Sequence, residues 1–83
     1  MIPLVVPALG LPADEPIHVS CWLVSPGDKV VEGDRIVELL IGEITFDVSS
    51  PASGRLVSVS ADVDEPVSPG SLLGKIATGD KTS

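Results

Sequence analysis

The sequence predicts an all-β domain of the sandwich or barrel type, for three reasons. Eight prolines and eight glycines interrupt the 83 residues, so helices of the usual length, about 11 to 12 residues, have almost no room. The longest run without either residue, from Arg55 to Glu65, begins by alternating apolar and polar side chains, as a half-buried strand does. Val and Ile, which favour pleated sheet, supply 18 residues.

Turn residues bound each predicted strand. In chain order the strands are 4–6, between two prolines; 17–24, ending at the turn 25–28; 35–41, beginning after the turn 32–34; 44–49, ending at the turn 50–54; 54–60; and 72–77, beginning after the turn 68–71. Short extended pieces are expected around Val30 and Val67. Strands at this spacing are typical of a sandwich or barrel. We expect one domain over residues 1–78 and a polar tail at 79–83.

The two halves of the chain repeat each other at an offset of 37 residues. Apolar residues then coincide with apolar residues, acids with acids and glycines with glycines, as in the pairs Val19/Leu56, Trp22/Val59, Asp28/Glu65, Val30/Val67, Gly33/Gly70, Ile36/Leu73 and Leu39/Ile76. The repeat predicts two similar β-units packed face to face about a pseudo-twofold axis, each covering the apolar side of the other. Residues 41–44 fall between the units, at an exposed edge.

Composition narrows the classes of partner. The formal net charge is −7 and the sequence pI is about 4.2, so nucleic acid and anionic membrane surfaces are excluded as partners. The acidity indicates either a docking partner with a basic face or only a surface that keeps the domain soluble. The first ten residues lack a basic segment and contain Pro3 and Pro7, so we expect neither a signal peptide nor a membrane span. The expected location is the cytoplasm.

The stretch ELLIGEITFDV, residues 38–48, is typical of a hairpin. Two apolar runs flank the dipeptide Gly42-Glu43, and a glycine at the first position of a two-residue turn favours type II′. We therefore expect Ile41 to Ile44 to form a tight hairpin with Gly42 and Glu43 exposed at its tip. Glu43 is then either a solvated charge or a contact for a partner that recognises the tip.

Three segments resemble a known family. They are PALG at 7–10, WLVSPGDKVVEGDRIVEL at 22–39 and FDVSSPASGRLVSV at 46–59, and they are similar to the biotinyl/lipoyl attachment domains, most closely to the lipoyl domains of 2-oxo acid dehydrogenase acyltransferase components. The resemblance implies a flattened barrel-sandwich hybrid of two four-stranded antiparallel sheets. It also implies a lysine at an exposed hairpin tip that carries lipoate or biotin on a swinging arm.

The sequence departs from that family at the tip. Counted back from Ser50-Pro51, the usual Asp-Lys pair falls on Gly42-Glu43, between Ile41 and Ile44. A ligase attaches lipoate or biotin through attack of a lysine amine on an activated acyl group, and a glutamate has no nitrogen to acylate. The lysines of the chain lie elsewhere, at positions 29, 75 and 81. Glu43 thus stands at the cofactor-attachment position, and we expect no cofactor.

No other residue indicates catalysis or a metal site. His18 is the single histidine and lacks further ligands at metal spacing, so we interpret it as a surface or half-buried strand residue. Cys21 is interpreted as a buried free thiol, and Trp22 as a core residue or a partly exposed aromatic beside the barrel seam. The acids are interpreted as solvated loop residues at positions 14, 15, 28, 34, 62, 64 and 65. We predict that the domain is not an enzyme.

Three hypotheses for function remain from the sequence. The leading one is a lipoyl-like domain without the attachment lysine, acting as a non-enzymatic binding or structural module. The alternative is a swinging-arm carrier of a 2-oxo acid dehydrogenase acyltransferase or of a carboxylase, assembled with modified domains. A third is a fragment of an enzyme whose chemistry lies on other chains. In each case the expected partner is a protein, with an acyltransferase or carboxylase complex as the candidate.

Overall fold

The fold is described here from a computed structural model, which covers residues 1–8, 10 and 15–78. Over these residues the chain forms eight strands and no helix, so the described part contains no helix that could cross a membrane. The strands are β1 (Ile2–Val5), β2 (Ile17–Trp22), β3 (Lys29–Val30), β4 (Arg35–Ile41), β5 (Ile44–Ser49), β6 (Gly54–Val59), β7 (Pro66–Val67) and β8 (Leu72–Ala77). Leu9, Asp14, Lys81 and the predicted tail at 79–83 lie outside the described residues.

The strands form two antiparallel sheets of four. One sheet has the order β1-β8-β6-β3 and the other β5-β4-β2-β7, and all neighbouring strands in both sheets run antiparallel. The predicted all-β fold of two four-stranded antiparallel sheets is therefore confirmed. The first and last strands are neighbours, with Ile2 opposite Ile76.

The 37-residue repeat is visible in the strand positions. Moved by 37 residues, β2 falls on β6, β3 on β7, and β4 on β8 with one extra residue. The two sheet orders are equivalent under the same exchange, with β5 taking the place of β1. Each half also donates its short strand to the sheet of the other half, because β3 pairs with β6 and β7 with β2. This exchange of short strands gives the pseudo-twofold arrangement.

Two kinds of turn obey the same repeat. Asp28 accepts a hydrogen bond from the backbone N–H of Ser25 at 2.8 Å, and Glu65, 37 residues later, accepts one from Asp62 at 3.0 Å. In the second kind, Val31 donates its N–H to Asp34 at 2.9 Å, and Ser68 donates to Ser71 at 3.0 Å. These side chains close their own turns by local bonds to backbone. Asp28, Asp34 and Glu65 are exposed, as solvated loop acids are, and each also closes its turn by a hydrogen bond to the backbone.

The core lies between the two sheets and consists of aliphatic side chains. Several repeat-related residues lie there and are fully buried, including Leu39 and Ile76, and Ile36 and Leu73. Burying one Leu or Ile side chain contributes about 1.5–3 kcal/mol, so these pairs supply much of the stabilisation. The buried apolar residues are Leu4, Val6, Ile17, Val19, Val30, Ile36, Val37, Leu39, Ile41, Val48, Leu56, Ala61, Leu73 and Ile76.

Three strands differ from the prediction at four of their ends. The first strand runs from Ile2 to Val5 and not over 4–6; it includes Pro3 because β1 is an edge strand and needs no N–H on its free side. The second strand ends at Trp22 and not at residue 24, although Leu23 still donates its N–H to Ile36 at 2.8 Å. The strand predicted at 54–60 ends at Val59.

Two interpretations of single residues in β2 have different outcomes. Cys21 is half-buried, so its interpretation as a buried thiol is wrong. The register of β2 shifts between Val19 and Cys21, and such a bulge takes the next side chain out of the inward alternation. Of the two alternatives for Trp22, a core residue or a partly exposed aromatic, the structure shows the second. Its indole Nε1–H donates a hydrogen bond to the carbonyl oxygen of Ala61 at 2.8 Å.

Candidate functional site: the β4–β5 hairpin tip

The candidate site is the turn that joins β4 and β5. Ile41 lies opposite Ile44, so that Gly42 and Glu43 are the only residues between the strands. Gly42 has a φ of +62°, whereas Glu43 does not have a positive φ. A positive φ followed by a negative one is the sign pattern of a type II′ turn, which glycine at the first position favours.

One buried residue at the base of the turn anchors the exposed tip to the core. Ile41 is buried and lies opposite Ile17 on β2, which ties the end of β4 to the next strand. Gly42 and Glu43 are exposed, and Ile44 is 70% exposed. The tip therefore presents a carboxylate next to an apolar side chain, on a turn whose base is held by the core.

A second carboxylate lies beside the turn. A Cβ added to Gly42 would lie 3.5 Å from Oε2 of Glu15. Glu15 precedes β2 by two residues and is half-buried. Together Glu15 and Glu43 make the tip acidic, and a side chain at position 42 would contact the Glu15 carboxylate directly. The contact joins positions 27 residues apart, and no local sequence pattern indicates it.

The described lysines lie away from this tip. Lys29 begins β3, and Lys75 lies in the middle of β8, opposite Pro3 on one side and Ser58 on the other. Both side chains are exposed. Lys75 is thus held on the face of a sheet between two partner strands, not on a projecting turn. The tip has a carboxylate and backbone amides, and no amine that could be acylated.

The remaining sequence candidates are dispersed. His18 is half-buried in β2, opposite Leu40 on one side and Pro66 on the other. Within residues 1–8, 10 and 15–78, no three His, Cys, Asp or Glu side chains are grouped as metal ligands would be. In the same part of the chain one ion pair forms, between Arg35 and Asp47 at 3.3 Å on the surface.

Comparison with known proteins decides the family. The sequence matches the Biotin_lipoyl family, described as "Biotin-requiring enzyme", over residues 3–76. This chain belongs to the biotin/lipoyl family. The match covers both sheets and the hairpin tip, so the family resemblance predicted from the three segments is confirmed.

Several similar curated proteins are acyltransferase components of dehydrogenase complexes. This biotin/lipoyl domain is 35% identical over 74 residues to the dihydrolipoyllysine-residue acetyltransferase component of the pyruvate dehydrogenase complex of Mycobacterium bovis, covering 89% of the chain and 13% of that protein. It is 31% identical over 61 residues to the succinyltransferase component of the 2-oxoglutarate dehydrogenase complex of Bacillus subtilis, covering 74% of the chain and 15% of that protein. The chain thus spans less than a fifth of either relative.

A solved structure shows the same fold. The lipoyl domain of the 2-oxoglutarate dehydrogenase complex from Azotobacter vinelandii superposes with a TM-score of 0.72 and 24% sequence identity, over 93% of this chain and 99% of that one. The fold predicted from the resemblance is therefore confirmed. The assignment of Glu43 to the cofactor-attachment position stays a prediction.

Proposed function

We propose that this biotin/lipoyl domain acts as an unmodified binding module and not as a carrier of lipoate or biotin. One observation supports the proposal: the hairpin tip projects as a carrier tip would, but the residue it presents is Glu43. The two-residue turn is exposed and has the buried Ile41 at its base, so the hairpin that would present an attachment lysine is complete. Only the side chain at its tip differs from what a carrier needs.

The residues at the tip do not fit either cofactor. Lipoate and biotin are joined by an amide, which requires an amine nucleophile. A carboxylate would give an anhydride, which water hydrolyses. Lys29 and Lys75 have amines, but the first follows a longer turn and the second lies within a sheet. We therefore propose that the domain binds no covalent cofactor and catalyses no reaction itself.

The proposed partner is a protein of a 2-oxo acid dehydrogenase acyltransferase complex, or of a carboxylase, in the cytoplasm. The similarity to acyltransferase components supports this class of partner. The net charge of −7 supports a partner surface that is basic where it meets the domain. An unmodified member of such an assembly would occupy a docking site and transfer no acyl group.

The test is modification by a lipoate ligase with lipoate and ATP, followed by intact-mass measurement. We expect the wild-type chain to keep its unmodified mass, both after this reaction and when it is purified from its own cells. The variant Glu43→Lys, and the double variant Gly42→Asp with Glu43→Lys, are expected to gain one lipoyl group at position 43. Gain of the group would show that the scaffold is intact and that only the attachment chemistry is absent.

Matched variants separate the other outcomes. Lys29→Arg and Lys75→Arg keep the positive charge and remove the primary amine, so they report any modification at those sites. Wild-type protein that carries lipoate or biotin on any lysine would contradict the proposal and make the carrier function correct. A folded Glu43→Lys variant that stays unmodified would show that the ligase no longer recognises the surface around the tip.

A further inference from the structure

We propose that the free edge of β5 is a docking edge for an extended segment of a partner protein. The segment adds as a fifth strand beside β5, with apolar side chains over the groove between β1 and β5 and a lysine or arginine opposite Asp47. The proposal goes beyond the proposed function, because the β5 edge is the same whether or not residue 43 carries a group.

The hydrogen-bonding pattern of β5 leaves backbone groups of two of its residues facing away from β4. In a hairpin with a two-residue turn, the residues that flank the turn form a hydrogen-bonded pair, and such pairs alternate along an antiparallel ladder. Ile44 is paired in this way with Ile41, so Phe46 and Val48 also direct their backbone groups towards β4. The N–H and C=O groups of Thr45 and Asp47 therefore point to the opposite side.

That opposite side is open in the described chain. β5 is the last strand of its sheet, and none of the described residues pairs with its outer edge. Such an edge is a template for another strand, and proteins usually protect it with proline, lysine or a bulge. Over its first five residues, from Ile44 to Val48, β5 pairs with β4 without a shift in register and has neither proline nor lysine.

The edge of the other sheet is different. β1 has only four residues, and the second of them is Pro3, which has no N–H to donate. Pro7 follows two residues after the strand ends. An added strand would lose a hydrogen bond at Pro3, whereas β5 presents its full set of backbone groups. The structure thus favours strand addition at β5 and not at β1.

An apolar groove lies between the two edge strands, β1 and β5. It has a volume of about 350 Å³ and is lined mainly by Pro3, Val5, Phe46, Val48 and Pro51. Val5 is 40% exposed and Phe46 37% exposed, so both leave apolar surface in contact with water. Alternate side chains of a strand paired with β5 would lie on the same face as Phe46. Apolar side chains at those positions would cover this surface.

The charges around β5 favour a basic segment. On the outer face of the sheet Asp47 lies directly opposite Glu38, and like charges in this position are unfavourable. Arg35 contacts Asp47 at 3.3 Å and neutralises one of the two carboxylates. Glu43 adds a further negative charge where β5 begins. A positively charged residue opposite Asp47 would balance the group, which selects a basic segment.

The same charge argues against a second copy of this chain as the occupant. Each copy has a formal net charge of −7, and pairing β5 with β5 would bring two acidic edges together. A segment of a different protein in which basic and apolar side chains alternate would balance the charge at Asp47 and cover the apolar groove.

The test uses a capped eight-residue peptide in which Val and Lys alternate, titrated into the labelled full chain and followed by NMR. We expect the largest shifts at the amides of Thr45 and Asp47, and at least tenfold slower hydrogen exchange of these two amides in the complex. A matched peptide with Glu in place of every Lys should bind at least tenfold more weakly. Equal binding of the two peptides, no binding, or shifts centred elsewhere would overturn the proposal.

Variants of the edge test the mechanism of binding. Thr45→Pro removes an outward N–H from an edge strand, where proline is tolerated, and should weaken binding of the Lys peptide at least tenfold. Thr45→Ala keeps the N–H and should bind as wild type does. Asp47→Asn keeps the backbone and removes the charge, so it should weaken the Lys peptide several-fold even if Thr45→Pro does not fold. Unchanged binding by Asp47→Asn, or a wild-type dimer that Thr45→Pro dissociates, would contradict the proposal.

Discussion

Replacing Gly42 by alanine tests the geometry of the tip. At a φ of +62° an L-residue is strained, and a residue held in such a sparsely populated backbone region costs about 1–3 kcal/mol. Alanine also reduces the entropy of the unfolded chain, which recovers about 0.4–1 kcal/mol. The added Cβ meets only Oε2 of Glu15, at an ordinary contact distance of 3.5 Å. Gly42→Ala should therefore lower the free energy of unfolding by about 1 kcal/mol, through backbone strain and not through a steric clash.

Thermal unfolding followed by circular dichroism measures this loss. For a domain of this size, 1 kcal/mol lowers Tm by about 4–8 °C. The matched control is Glu43→Ala, one residue later, where φ is not positive and the side chain is exposed. We expect that control to change the free energy of unfolding by less than about 0.5 kcal/mol. Equal stability of Gly42→Ala and Glu43→Ala would mean that position 42 does not have a positive φ and that the turn is not of type II′.

The same strain bears on the choice of variant for the ligase experiment. Gly42→Asp adds the cost of a positive φ and also places a second carboxylate beside Glu15. Repulsion between carboxylates that are at least partly exposed is screened by salt, so the extra loss of Gly42→Asp relative to Gly42→Ala should shrink as NaCl is raised. Glu43→Lys alone leaves Gly42 in place. It is therefore the variant that tests the missing amine with the turn geometry unchanged.

Two further predictions concern the scaffold. Leu39→Ala, at a fully buried position, should lower the free energy of unfolding by about 2–5 kcal/mol, out of a total of about 4–12 kcal/mol for a chain of this length. The control is Val31→Ala, at a side chain that is 61% exposed. Equal urea midpoints for the two variants would contradict the assignment of the core. Gly54→Ala should destabilise the domain by about 1–3 kcal/mol, because its Cβ would overlap the carbonyl oxygen of Ala77; an unchanged Tm would show that β6 and β8 do not approach so closely.

The architecture could be predicted because its signals are local or periodic. Proline and glycine mark the turns, and the offset of 37 residues places the second half once the first is known. The pair Leu39 and Ile76 shows the strength of this signal, since both matched residues are fully buried. The positive φ at the first position of the turn followed in the same way from one glycine in a two-residue loop.

Other features depend on tertiary structure and have no local signal. The partial exposure of Cys21 results from a bulge in β2, which interrupts the alternation that the apolar run predicts. The approach of Glu15 to Gly42 joins two loops through the packing of β2 beside β4. The turn bonds of Asp28 and Glu65 were within reach of the sequence, because both acids stand at the fourth position of matched turns.

The neighbouring positions of β1 and β8 determine how the domain can be tethered. Ile17 lies opposite Ile41 on one side and opposite Val67 on the other, so Val67 is at the same end of the domain as the hairpin. β8 follows Val67 after a short turn, so it begins at the hairpin end and runs away from it. Ile2 and Ile76 therefore lie together at the far end, about 20 Å from the tip at about 3.3 Å per strand residue. A linker joined at either of these strand ends would leave from the side opposite Glu43. A domain held by such a linker, in a larger assembly or on a sensor surface, would point its hairpin tip outward.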